Sequence, residues 1–199
     1  MASPDSEISR LHDLMPASGR MWIRIVPQPG LGCAIASPFP YPWQRQRQLQ
    51  INFDLWRRLP RPQRDLLALR QCAWVMGVRW FAPNWYQAAV ALGSVTVLVE
   101  LGQADALGAL VAGGLTGVAG AQIWRLNRRP EREIEADQDA IAIAQRRGYG
   151  QREATEQLLA AIEAAAALAG RPLDFEELLR CQRLRSRLGG VVSPHPPVR

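Results

Sequence analysis

Two stretches without a charged side chain, residues 85–99 and 106–124, constrain this chain more than any other feature; Glu100 and Asp105 mark the gap between them. Uncharged runs of this length must bury their apolar surface, either in lipid or in a protein core. With a helical rise of about 1.5 Å per residue, 106–124 comes close to the roughly 20 residues that cross a bilayer core. The first run reaches that length only with the Trp80 and Phe81 region added. The pattern predicts a transmembrane helical hairpin at about 80–124. Gly113, Gly117 and Ala121 recur at a spacing of four, which lets helix backbones approach closely in lipid. Arg79 precedes the hairpin and Arg125, Arg128 and Arg129 follow it, so the positive-inside rule predicts that both ends are cytoplasmic. The alternative is a hairpin buried in a soluble protein, or one lying partly in the membrane surface.

The remainder reads as a water-soluble body with an overall mean hydropathy of −0.13. At 199 residues the chain suits a single domain carrying the hairpin as an insertion. Residues 1–20 form a polar segment, in which "SEISRLHDLM" allows a short helix of one or two turns before Pro16. The domain proper spans 21–189, and residues 190–199, rich in glycine and proline, form a flexible tail. Three short apolar or alternating runs, "MWIRIV", "LGCAIA" and "QLQINF", predict a small irregular sheet, with "SPFPYPW" as a covering loop. A helix is expected from about Pro62 to Gly77, with Leu66, Leu69, Ala73 and Met76 facing a core. Helices are expected again at 130–147, 152–169 and 174–188, the last with Asp174 and Glu177 at capping-box spacing. The fold class is therefore α+β, mostly α.

All 24 basic residues are arginine, and the net charge is +6. The arginines are scattered and accompany no nucleic-acid-binding motif, so nucleic acid is not an expected partner. Cys33, Cys72 and Cys181 form no CxxC pair, which argues against a disulfide framework or a structural zinc site. The first residues lack the basic-then-apolar pattern of a cleavable leader, so membrane targeting is expected from within the chain.

One acidic cluster stands out. "EREIEADQD", 131–139, follows Pro130 and suits a helix start, where carboxylates complement the helix dipole. Its core, "REIEAD", followed by "AQRRGYGQREA", also resembles the third-ligand segment of the HtpX and CAAX-prenyl-protease class of membrane zinc metallopeptidases. The resemblance covers roughly residues 21–165. It implies a small sheet, an active-site helix, a hydrophobic hairpin and a glutamate helix in that order, with Glu133 at the metal-ligand position and Asp137 as its supporting acid. At the place of the family's H-E-x-x-H this chain reads "RQCAW", so Arg70 and Trp74 stand at the histidine positions and Gln71 at that of the general base. None of the three can do the family's chemistry: guanidinium and indole offer no lone pair to zinc, and a glutamine amide takes no proton from water near neutral pH. The resemblance therefore implies a pseudoenzyme with vestigial metal-site positions Arg70, Gln71, Trp74, Glu133 and Asp137, no metal and no cofactor. Arg70 is expected to pair with Glu133 where the metal charge would have been.

"LMPASGR", "INFDLWRRL", "PQRDLLALR" and "CQRLR" further resemble a family of cyanobacterial membrane proteins with no assigned function, over nearly the whole chain. That resemblance implies an integral protein of the thylakoid or plasma membrane. The expected function is a catalytically inactive, membrane-anchored scaffold or assembly and quality-control factor for membrane protein complexes, with lipids and an unidentified membrane protein as partners. The alternatives are a residual hydrolase with other catalytic residues, or a peripheral lipid-binding protein. The oligomeric state stays open.

Overall fold

The computed structural model describes residues 4–41, 43–78 and 130–190, together with 90, 92–97, 99, 111, 113–114, 116–118 and 121. The chain divides into two compact units, Met1–Gly77 with Pro130–Arg199, and Val78–Arg129. Elements of the first unit are α1 (Pro4–Leu14), α2 (Ala17–Trp22), β1 (Ile23–Pro27), β2 (Ile35–Ala36), β3 (Arg47–Ile51), α3 (Phe53–Trp56), α4 (Arg61–Gly77), α5 (Pro130–Gln145), α6 (Gln151–Leu168) and α7 (Phe175–Gly190).

The sheet has the order β1-β3-β2, with β1 parallel to β3 and β2 antiparallel to it. Alternation sets its inner face: Ile23, Ile25, Leu49 and Ile51 are buried, while Arg24 and Gln48 face out. Met21 and Trp22, read as part of the first strand, instead close α2. The run "LGCAIA" pairs only through Ile35 and Ala36.

The helix α4 organises the unit. It is buried almost all round, from Asp65 to Val75 with Trp74 half-buried, and the polar Asp65, Arg70 and Gln71 are buried along with its apolar residues. One side, with Leu67, Cys72 and Val75, packs with Leu11, Met15, the sheet and Trp56. The other, with Leu66 and Leu69, packs with Ala140, Ile141, Leu158, Ile162, Cys181 and Leu184 of α5, α6 and α7. The core-facing set Leu66, Leu69 and Ala73 is buried as expected, and Met76 is half-buried.

The N-terminal segment is more structured than its polarity suggests. α1 runs for 11 residues and sends Leu11 into the core, while Met15 just beyond it is buried as well. Gly19 of α2 crosses so close to α4 that a Cβ there would stand 2.7 Å from Cys72 Sγ. At the other end, Asp174 and Glu177 form the expected reciprocal cap, with Glu177 N–H donating to Asp174 Oδ1 (2.7 Å) and Asp174 N–H to Glu177 Oε2 (3.0 Å).

In the second unit the described residues beyond Val78 are helical, among them 92–97, and Leu92, Val95, Val99, Val111 and Val118 are exposed. Ser94 and Thr96 donate to the carbonyls four residues back, Val90 and Leu92, as hydroxyls do inside helices. Among the described residues no helix is long and apolar enough to cross a membrane. Most of the two uncharged runs lies outside the described residues, as do Arg79, Arg125, Arg128 and Arg129.

Candidate functional site

Arg70 sits at the middle of α4, on the side that meets α5 and α7. Glu133 and Asp137 are four apart on α5 and so share one face of that helix. That face turns toward Arg70: Nη2 of Arg70 is ion-paired with Glu133 Oε2, and its Nε lies 3.6 Å from Asp137 Oδ1. Arg70 Nη1 donates to Gln71 Oε1 at 2.9 Å. From α7, Arg180 closes the group with two parallel bonds to Asp137, Nε to Oδ2 at 2.8 Å and Nη2 to Oδ1 at 2.7 Å, the fork geometry that makes guanidinium–carboxylate pairs strong.

The quartet is deeply placed, with Asp137 3%, Arg180 7% and Arg70 9% exposed. Its formal charges cancel, two guanidiniums against two carboxylates, which is the condition for burying them at tolerable cost. Burial first, and then the positive charge of Arg180, lower the Arg70 guanidinium to about 9, with Asp137 acting in the opposite sense. At neutral pH it carries its charge. A cavity of about 110 Å³ lies against the quartet, lined among others by Cys33, Gln71, Arg171 and Arg180.

The structure thus brings together Arg70, Gln71, Glu133 and Asp137, four of the five positions singled out in the sequence. Trp74, one helical turn beyond Arg70, is engaged with Phe39 of the proline-rich loop, ring centroids 6.2 Å apart and nearly perpendicular. Among the described residues no group of three or more His, Cys, Asp or Glu is placed to hold a metal ion. Arg180 was not foreseen. Its signal is its phase: Arg180 lies beside Cys181 and four residues before Leu184, so an arginine occupies the buried stripe of α7 and must meet a carboxylate there.

A second polar cluster also went unread. Glu7 of α1 accepts from Arg10 (2.9 and 2.8 Å), from Arg64 (2.6 Å) and from the indole N–H of the fully buried Trp56 (3.2 Å). Arg10 in turn donates to Asp65 (2.6 Å), whose other oxygen accepts from Tyr149 Oη at 2.8 Å. The Arg10 hydrogen bond, which outweighs burial, holds the Glu7 carboxyl below the usual range. Burial, and next the bond to Asp65, push the Tyr149 phenol up to about 12. Arg147 adds bonds to the carbonyls of Leu14 and Met15 at 3.0 and 2.9 Å, tying the end of α1 to the turn after α5. These contacts border an open cleft of about 480 Å³.

Residues 9–149 match the family described as "Protein of unknown function (DUF3318)". The chain belongs to that family. It is also similar to "Thylakoid membrane protein slr1949" of Synechocystis sp. (strain ATCC 27184 / PCC 6803 / Kazusa), with 30% identity over 151 residues, 72% of this chain and 69% of that protein. No solved structure matches. The resemblance to a cyanobacterial family without assigned function is the one these comparisons support, and neither printed name is that of a peptidase. Within this family match lie Arg10, Asp65, Arg70, Glu133, Asp137 and Tyr149, while Arg180 lies beyond it.

Proposed function

We propose that this member of the family is a catalytically inactive, membrane-anchored protein built like a zinc metallopeptidase of the HtpX and CAAX-prenyl-protease class. Its soluble body would serve as a scaffold or assembly and quality-control factor for membrane protein complexes. The observation that carries this reading is the Arg70–Glu133 ion pair. The glutamate that would bind zinc is instead neutralised by a guanidinium from the position of the first zinc histidine, so the site keeps its charge balance without metal. Hydrolysis by that class needs three protein ligands, an open metal position and a general base. Arg70, Gln71 and Trp74 provide none of these.

The anchor would be the hairpin at about 80–124 with its two uncharged runs, and the positive-inside rule applied to Arg79, Arg125, Arg128 and Arg129 supports a cytoplasmic side for both termini. The printed name of the similar Synechocystis protein supports a thylakoid location. Affinity purification of the full chain from detergent-solubilised native membranes tests the scaffold reading. The expected result is co-purification of a defined set of membrane proteins in fixed proportion; recovery of the chain alone, or chelator-sensitive cleavage of casein by the purified protein, would overturn it.

A further inference from the structure

The sheet layer of the first unit carries an aromatic and cationic surface that the quartet does not use. Trp43 is 75% and Met21 71% exposed, and Trp22 and Tyr41 are exposed beside them in sequence. They gather at one end of the sheet. β1 and β3 are parallel with Ile23 opposite Arg47, so Met21 and Trp22 at the end of α2, and Tyr41 and Trp43 in the loop before β3, all precede the same end of the pair. A turn closed by Gln44 N–H on the Tyr41 carbonyl keeps the second group close to β3. The rings form a ladder: Trp43 stacks on Tyr41 at 5.0 Å, Tyr41 meets Phe39 edge-on at 6.4 Å, and Phe39 meets Trp74 of α4.

The same end is where the hydrophobic insertion leaves and rejoins the unit. Arg47, at the start of β3, donates to the Val75 carbonyl in the last turn of α4. Gly77 closes that helix, and a Cβ on it would stand 3.5 Å from the Arg132 guanidinium in the first turn of α5. Both attachment points of residues 78–129 therefore lie beside the aromatic ladder.

Charge singles out one kind of occupant. From Leu14 to Phe53 the chain has no acidic residue, and its charges are Arg20, Arg24, Arg45 and Arg47. The first three are exposed. Tryptophan and tyrosine with an apolar body and a polar edge settle at the boundary between acyl chains and headgroups, and arginines beside them attract anionic headgroups. We propose that this end of the unit, through Met21, Trp22, Tyr41 and Trp43 with Arg20, Arg24 and Arg45, seats directly on an anionic lipid bilayer. The docked surface fixes the orientation of the body over the membrane, independently of the hairpin's own insertion, although its placement beside the attachment points deepens the membrane-anchored reading above.

The test uses the full chain in vesicles of phosphatidylcholine and phosphatidylglycerol whose acyl chains are brominated near the headgroup, so that bromine quenches any indole at that depth. The Trp22→Phe/Trp43→Phe variant removes two exposed indoles, and its difference from the unsubstituted chain isolates their emission. A carbonate wash of the same vesicles reports insertion of the hairpin separately. The expected result is that the emission due to Trp22 and Trp43 is lost in brominated relative to unbrominated vesicles. If that emission is unquenched while the protein resists the wash, the docked surface is overturned and the anchor stands, as it would if the ladder binds a protein instead. If the emission is quenched and the wash releases the protein, the surface stands and the anchor falls. Unquenched emission with release overturns both.

Discussion

Arg70 is a buried cation whose worth depends on its partners. Replacing it with methionine keeps the volume but leaves Glu133 without its guanidinium, and breaking a buried pair from one side costs about 3–5 kcal/mol. Glu133→Gln, which leaves Arg70 with Asp137 close by, is expected to cost less. Because the two side chains touch, the double variant Arg70→Met/Glu133→Gln is expected to be more stable than the sum of the singles allows, by roughly 1–3 kcal/mol of coupling. Urea unfolding of the four proteins followed by circular dichroism reads this, and strictly additive losses would show that the pair is not a unit. Arg180 is the other residue on which the site turns. Arg180→Leu removes both bonds to Asp137, and a substitution as mild as Arg180→Lys cannot restore the two-pronged contact.

Single contacts also decide how elements pack. The approach of α2 to α4 depends on Gly19, because a methyl group there would meet the buried Cys72 Sγ at 2.7 Å. Gly19→Ala is expected to destabilise the unit by about 1–3 kcal/mol, the usual cost of overpacking, read as a lowered urea midpoint; an unchanged midpoint would show that the helices part freely. α1 is held by Glu7, whose folded carboxyl titrates below its ordinary value of 4.5. A depressed carboxyl contributes stability that is present above its unfolded value and is lost as pH falls through the folded one. Stability should therefore decline as the pH drops below about 4.5, and Glu7→Gln should flatten that decline while lowering stability at neutral pH. Much of this architecture was legible in the sequence. Pro62 and Gly77 bracket α4, "REIEAD" opens α5, and the spacing of Asp174 and Glu177 foretells the cap of α7. What was not legible came from long-range polar contacts inside polar segments: nothing local in "SEISRLHDL" says that Glu7 will meet Trp56 and Arg64, about 50 residues away. Arg180 stays hidden because the carboxylate that allows its burial, Asp137, lies 43 residues away on another helix, and Met21 and Trp22 fall in the apolar run "MWIRIV", whose strand preference tertiary placement overrides at those two residues.

For the whole molecule, the division into a helical unit with a small sheet and a separate segment at Val78–Arg129 follows the chemistry of the chain. The uncharged runs 85–99 and 106–124 lie in that segment, and among the described residues the buried ion pairs lie in the other. A carbonate wash of native membranes should leave the full chain in the pellet if the segment is inserted, whereas release into the supernatant would mark a peripheral protein. At this scale we propose that the quartet stands where a zinc site would stand in peptidases of the HtpX and CAAX-prenyl-protease class. The most direct measurement restores that site. The variant Arg70→His/Gln71→Glu/Trp74→His rebuilds H-E-x-x-H on α4 opposite Glu133, and two histidines four apart on one helical face with a third carboxylate form a zinc set. Metal analysis of the purified, folded variant is predicted to find one zinc per chain, lost again when Glu133→Gln is added, while the unsubstituted chain binds none. A folded variant that takes up no zinc, or one that keeps it after Glu133→Gln, would contradict the account.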